Sequence, residues 1–102
     1  GQNLTAVRGA KYGPAEWQFA VAQELKKIIH DNLRINADFR DNVNFELKAV
    51  IIETLEMNMT KISRILTGQA DYDDNWRDII GYSTLVMNMC QGLTANGKVR
   101  TK

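Results

Sequence analysis

One cysteine, one proline and one histidine among 102 residues remove several chemistries at once. Cys90 has no second cysteine to pair with, so no internal disulfide can staple the chain. His30 lacks the companion ligands of a zinc site and the nucleophile of a hydrolytic triad, and reads as a surface histidine. No apolar run approaches the roughly 20 residues that span a bilayer, and no secretory leader is visible, so a reducing cytoplasm is the expected location. A glycine-rich phosphate loop is missing, as is any alternating strand pattern to carry one. The net charge is only +1, which gives no global field for nucleic acid or anionic lipid. Lys98, Arg100 and Lys102 form the one basic bias, expected as a flexible tail over 93–102.

What is present is an ordinary globular composition, 44% hydrophobic and 25% charged, enough for one domain and too short for two. Residues 1–13 carry three glycines without periodicity and read as a loosely ordered lead-in to a single helical domain at 14–92. Chains this small bury only about two thirds of their unfolded surface, so completion by self-association is expected.

Three helices are signalled. Pro14 suits a first turn, and Trp17, Val21, Leu25, Ile28 and Ile29 follow at steps of three and four to about residue 33. Residues 34–42 interrupt the pattern and read as a connection in which Ile35 and Phe39 tuck against the core. A second helix, 43–67, carries Leu47, Ile51, Leu55, Ile62 and Leu66, with Gly68 expected as its left-handed cap. A third, 74–91, is expected to be capped by Asp73 and Asp74, to bury Trp76, Ile79, Ile80, Leu85 and Val86, and to end at Gly92. Cys90 and the methionines at 57, 59, 87 and 89 read as core filling. The class is therefore all-α, a small bundle.

At about 100 degrees per residue, four polar side chains fall inside apolar arcs: Thr54, Asn58 and Lys61 on the second helix and Asp78 on the third. A covered lysine or aspartate costs several kcal/mol unless paired. Lys61 and Asp78 therefore either pair across the two helices or, with Arg64 one turn on, line a wet cleft for phosphate or carboxylate. Glu53 and Glu56, spaced by three, with Asp74 and Asp78, spaced by four, invite a Mg²⁺ reading, although the two glutamates project from the polar side of their helix. Trp76 reads as an anchor of the preceding turn or as a stacking platform for a base.

The stretches KISRILTG at 61–68 and DNWRDIIGY at 74–82, with Arg8 and Tyr12-Gly13 upstream, resemble a small helical domain family of unknown function common in bacteriophages and prophages. The likeness covers most of residues 8–90, and the family's recurrent positions correspond to Lys61, Arg64, Asp74, Trp76, Asp78, Gly81 and Tyr82. It implies a link to phage nucleotide metabolism and a distant similarity to the all-helical nucleoside triphosphate pyrophosphohydrolases. Those enzymes hold Mg²⁺ with a Glu-Glu-x-x-Glu helix and a second acidic helix. This chain has Ile52-Glu53 where the paired glutamates would stand, and Asp74 and Asp78 are four apart instead of three.

The expectation is a nucleotide-handling phage protein that binds a phosphorylated small molecule with Lys61, Arg64, Asp74, Trp76, Asp78 and Tyr82. If it turns a nucleotide over, Glu53, Glu56 and Asp78 are the expected Mg²⁺ ligands for attack of water on a phosphoanhydride. The rival expectation is a non-catalytic homo-oligomer that inhibits a host protein or sequesters a nucleotide signal, with neither membrane nor nucleic acid as partner.

Overall fold

The computed structural model describes residues 14–92 and, within them, four helices: α1 Ala15–Arg34, α2 Ala37–Asn42, α3 Phe45–Thr67 and α4 Asp73–Cys90. The lead-in and the basic tail expected at 1–13 and 93–102, with Arg8 and Tyr12-Gly13, lie outside the described residues. The three long helices begin and end within two residues of the sequence expectation, because each carries sustained apolar spacing and none has an internal proline.

The short α2 corrects the reading of 34–42 as an irregular connection. Asn36 caps it by accepting the Phe39 N–H at 3.1 Å, and Asn42 donates to Asp38 at 2.9 Å. Six residues are too few to display a helical period, so the pattern concealed it. Phe39 packs on the core as expected, whereas Ile35 stays 71% exposed. Asn44 caps α3 in the same way, accepting the Leu47 N–H at 2.9 Å.

Two other expectations at helix ends are overturned. Gly68 closes α3 at φ −137° and ψ −142°, not in the left-handed region; that conformation belongs to Gly92 after α4, at φ 75°. Tyr72, whose side chain makes no capping hydrogen bond to the helix backbone, holds the N-cap of α4, and Asp73 and Asp74 fall in its first turn instead. There they favour the positive end of the helix and pair with Arg77.

The long contacts are α1 with α3 and α3 with α4; α1 and α4 share no comparable contact. Cross-helix neighbours run in opposite senses on both sides of α3. Lys26 lines a cleft with Met57 and Thr60 whereas Arg34 lines one with Lys48 and Ile52, and Lys61 meets Asp78 where Asn58 meets Ser83, so both outer helices are antiparallel to the central one. The result is an open layer with α3 in the middle.

Its seams are unusual. Among the described residues the buried apolar side chains are Ala22, Val43 and Leu47, while Gln18, Thr54, Asn58, Ser63, Thr67 and Asn75 are buried polar ones. Small hydroxyls tolerate this because they bond within their own helix: Ser63 donates to the Thr60 carbonyl at 2.6 Å and Thr67 to the Ser63 carbonyl at 2.8 Å. With these two hydroxyls satisfied, α3 offers slim flanks along which its neighbours lie.

The larger apolar residues pay the opposite way. Trp17, Ile28, Leu66, Ile80 and Leu85, expected in the core, are 54–66% exposed. Cys90, expected as core, is exposed, as are Met57 and Met87; only Met89 packs on the Val43–Leu47 core. No helix among the described residues is long and apolar enough to cross a membrane.

Candidate functional site

Lys61 and Asp78 meet across α3 and α4 at 2.9 Å, with the lysine side chain 18% exposed and the aspartate 43% exposed. The wheel placed both inward, and their helices run antiparallel, so facing positions were available to a cation and an anion. The ammonium is the covered partner and the carboxylate faces water. An entering phosphate can therefore replace Asp78 without first uncovering Lys61.

Around this pair the expected residues separate. Asp74, Asp78 and Tyr82 recur every four residues along α4 and share one side of it. Asp74 accepts the Tyr72 hydroxyl at 2.9 Å. Arg64 follows Lys61 on α3 and is half-buried. Trp76 belongs to another row of α4: its indole donates to the Ala70 carbonyl at 2.8 Å, anchoring the turn, and its ring is 49% exposed. At Gly81 an added Cβ would meet nothing within 4 Å, so no close approach within the chain calls for glycine there.

The expected metal set does not converge. Glu56 turns to His30 on the α1 side, at 3.1 Å, whereas Asp78 faces Lys61 on the α4 side. Glu53 lines a cleft with Lys26, Glu56, Met57 and Thr60, again toward α1. Among the described residues no group of three or more His, Cys, Asp or Glu side chains is placed to hold a metal ion. Helix α3 stands between the carboxylates, as the wheel had argued, and a Mg²⁺ bound by Glu53, Glu56 and Asp78 of one chain does not fit this arrangement.

A cationic cleft that the sequence did not signal opens at the end of the layer. His30, Asp31, Leu33 and Arg34 from α1, Phe39 and Arg40 from α2, and Lys48 and Ile52 from α3 enclose about 390 Å³. Arg34, Arg40 and Lys48, from three helices, line it together with Leu33, Phe39 and Ile52, and Asp31, the one carboxylate of the lining, pairs with Arg34 at 3.7 Å. Lys48 donates to the Arg40 carbonyl at 2.6 Å and lies 6.0 Å from the centre of the Phe39 ring. Arg40 pairs with Asp41 at 3.0 Å, which raises its pKa, and Lys27 holds the Asp31 carboxyl below its ordinary value by a hydrogen bond. These pairs are solvent-exposed and individually weak, so a multiply charged anion can displace the carboxylates.

The chain matches no known protein family, no curated protein and no solved structure. The case for a site therefore rests on this geometry. Arg34, Arg40 and Lys48 were missed because they converge only through α2, the helix too short to read. A usable signal was present in Arg34 and Arg40, two cations six residues apart on either side of an Asn N-cap, with Phe39 between them.

A second cleft, of about 280 Å³, lies between α3 and α4 and is walled by Ile51, Leu55, Val86 and Met87. Thr54, Asn58 and Ser83 form its polar part. The Asn58 amide donates to the Ser83 hydroxyl at 3.4 Å, and its carbonyl oxygen has no protein partner.

Proposed function

We propose that this chain binds a phosphorylated small molecule as a subunit of a homo-oligomer. The observation that carries the reading is the convergence of Arg34, Arg40 and Lys48 on a cleft of about 390 Å³ with an apolar floor. That volume lies within the roughly 300 to 1,000 Å³ of small-molecule sites, and such a lining suits a ligand with phosphate at one end and a flat apolar body at the other. The resemblance of residues 61–82 to a phage family supplies the ligand class, a nucleotide in the cytoplasm of a host cell. The Lys61–Asp78 pair, with Asp74 and Tyr82 on the same side of α4 and Arg64 next along α3, is the second place where phosphate can be held; Trp76, on another row of α4, stands apart from it.

The experiment is a thermal-shift panel of nucleotides and inorganic pyrophosphate, with and without Mg²⁺, with product release followed in the same samples. A shift lost in Arg34→Gln and Lys48→Gln supports the cleft, and one lost in Lys61→Met supports the α3–α4 pair. Turnover that requires Mg²⁺ and disappears in Glu53→Gln or Asp78→Asn would point to a pyrophosphohydrolase-like enzyme with a metal site completed between chains. No shift with any compound sinks the ligand reading.

A second reading has its own observation. Six large apolar side chains of the long helices lie on one open face of the layer, which favours a non-catalytic interaction protein, one that inhibits a host factor or sequesters a nucleotide signal.

A further inference from the structure

An amphipathic helix normally turns its most apolar stripe to the core, and a domain normally closes that core with a second layer. Here the seams of the layer are lined by small and polar residues, while the larger apolar stripes are rotated away from them. The direction of that rotation is the same in all three long helices. Lys26, Glu53, Lys61 and Asp78 mark one face of the layer: the first two line a common cleft and the last two pair. At about 100 degrees per residue, Trp17 and Ile28 stand roughly half a turn from Lys26 on α1, and Trp76, Ile80 and Met87 roughly half a turn from Asp78 on α4. Leu66 projects to that opposite side from α3. The cleft that joins Ile51 and Leu55 to Met87 shows α3 and α4 sharing it.

We infer that this apolar face is the contact surface for a second copy of the chain, giving a two-layered pair with six long helices. The inference rests on the homo-oligomer reading above and names its surface. Trp17, Ile28, Leu66, Trp76, Ile80 and Met87 are each between 49% and 66% exposed. At roughly 200 Å² per large side chain and about half of it exposed, they present on the order of 600 Å². That reaches the top of the roughly 300 to 600 Å² found for the largest patch on a monomer, and approaches the about 800 Å² that each partner gives a standard interface.

A second copy is the occupant that the face suits. The six side chains carry no charge; by the same wheel Glu24 falls in the stripe of Trp17 and Ile28 and Lys48 in line with Leu66, one charge of each sign that two facing copies can pair, and at a net charge of +1 two chains repel each other little. The cleft between Leu55 and Met87, with the unsatisfied Asn58 oxygen in its lining, opens a recess for a side chain of the facing copy. Phe19 and Leu85, exposed on the other side of the layer, are left outside this contact.

Sedimentation equilibrium on the full chain across a dilution series, with acrylamide quenching of Trp17 and Trp76 in the same samples, tests the inference. The expected result is twice the chain mass, with quenching several-fold below that of free tryptophan and rising as the pair dissociates. Ile80→Glu should dissociate the pair at concentrations where Leu85→Glu leaves it intact. Because Ile80→Glu can act by unfolding the separated chain, the wild-type quenching stands as a separate criterion. A dimer whose tryptophans are fully quenched, or one that survives Ile80→Glu, overturns the assigned face while leaving self-association in place. A monomer at every concentration overturns both.

Discussion

Removing the Asp78 carboxylate leaves the Lys61 ammonium under cover with nothing to neutralise it, and the structure sets the size of the effect. The lysine side chain is 18% exposed, so it cannot simply turn to water; the aspartate, at 43%, keeps half its hydration in either case. An exposed ion pair contributes about 0.2 to 1 kcal/mol, whereas stranding a buried charge costs about 3 to 5. A pair covered on one side only belongs between these limits. Asp78→Ala is expected to cost about 2 kcal/mol. Lys61→Met keeps the apolar stem packed and releases a carboxylate already facing solvent, so it should cost under about 1 kcal/mol. The double variant strands no charge and should cost less than Asp78→Ala, about 1 kcal/mol, leaving a coupling of about 1 to 2 kcal/mol. Urea unfolding at one fixed protein concentration measures it, with slopes of about 1 to 3 kcal/mol/M converting midpoints to free energy. Single effects that add to within about 0.3 kcal/mol would refute a structural ion pair at this seam.

Leu47, at 2% exposure the most buried large apolar side chain, should lose about 2 to 5 kcal/mol on change to Ala, read as a lower urea midpoint. Gly81→Ala should raise stability by about 0.4 to 1 kcal/mol, read as a higher urea midpoint, since a Cβ there meets nothing and α4 is continuous; a loss of stability would reveal a close neighbour at that position. Asp31 titrates below its ordinary value of 3.8 because of its Lys27 hydrogen bond, so the unfolded chain takes up that proton first. Its stabilisation is present above about pH 4 and is lost as pH falls through the depressed value. Melting curves from pH 5 to pH 2 should therefore fall less steeply in Lys27→Gln than in the wild type.

Helices α1, α3 and α4 were readable because apolar residues at steps of three and four survive in each for several turns. Helix α2 was not, because its signal is one Asn cap and one ring, Asn36 and Phe39, and the cationic cleft went with it. The wheel found Lys61 and Asp78 because each breaks an apolar arc, and the geometry joins them. The same wheel misjudged where the arcs point: it sent Trp17, Ile28, Leu66 and Ile80 to the centre of one chain, whereas Ser63, Thr67 and Asn75 fill the seams. Periodicity reports that a stripe will be covered and is silent on which chain covers it. Glu53, Glu56 and Asp78 were grouped by residue type and spacing; the wheel already set the two glutamates apart on the polar side of their helix, and Glu56 does turn to α1 while Asp78 pairs with Lys61.

The claim on which the account turns is that the stripes carrying Trp17, Ile80 and Met87 form one face that a like chain covers. Isotope-filtered NMR on an equal mixture of labelled and unlabelled protein addresses it directly. The account predicts intermolecular contacts from the Ile80 and Met87 methyl groups and from both indole rings, with none from Lys26, Glu53 or Asp78. Intermolecular contacts confined to the Lys26–Glu53 side, or Ile80 and Met87 methyls in contact only with residues of their own chain, would contradict it.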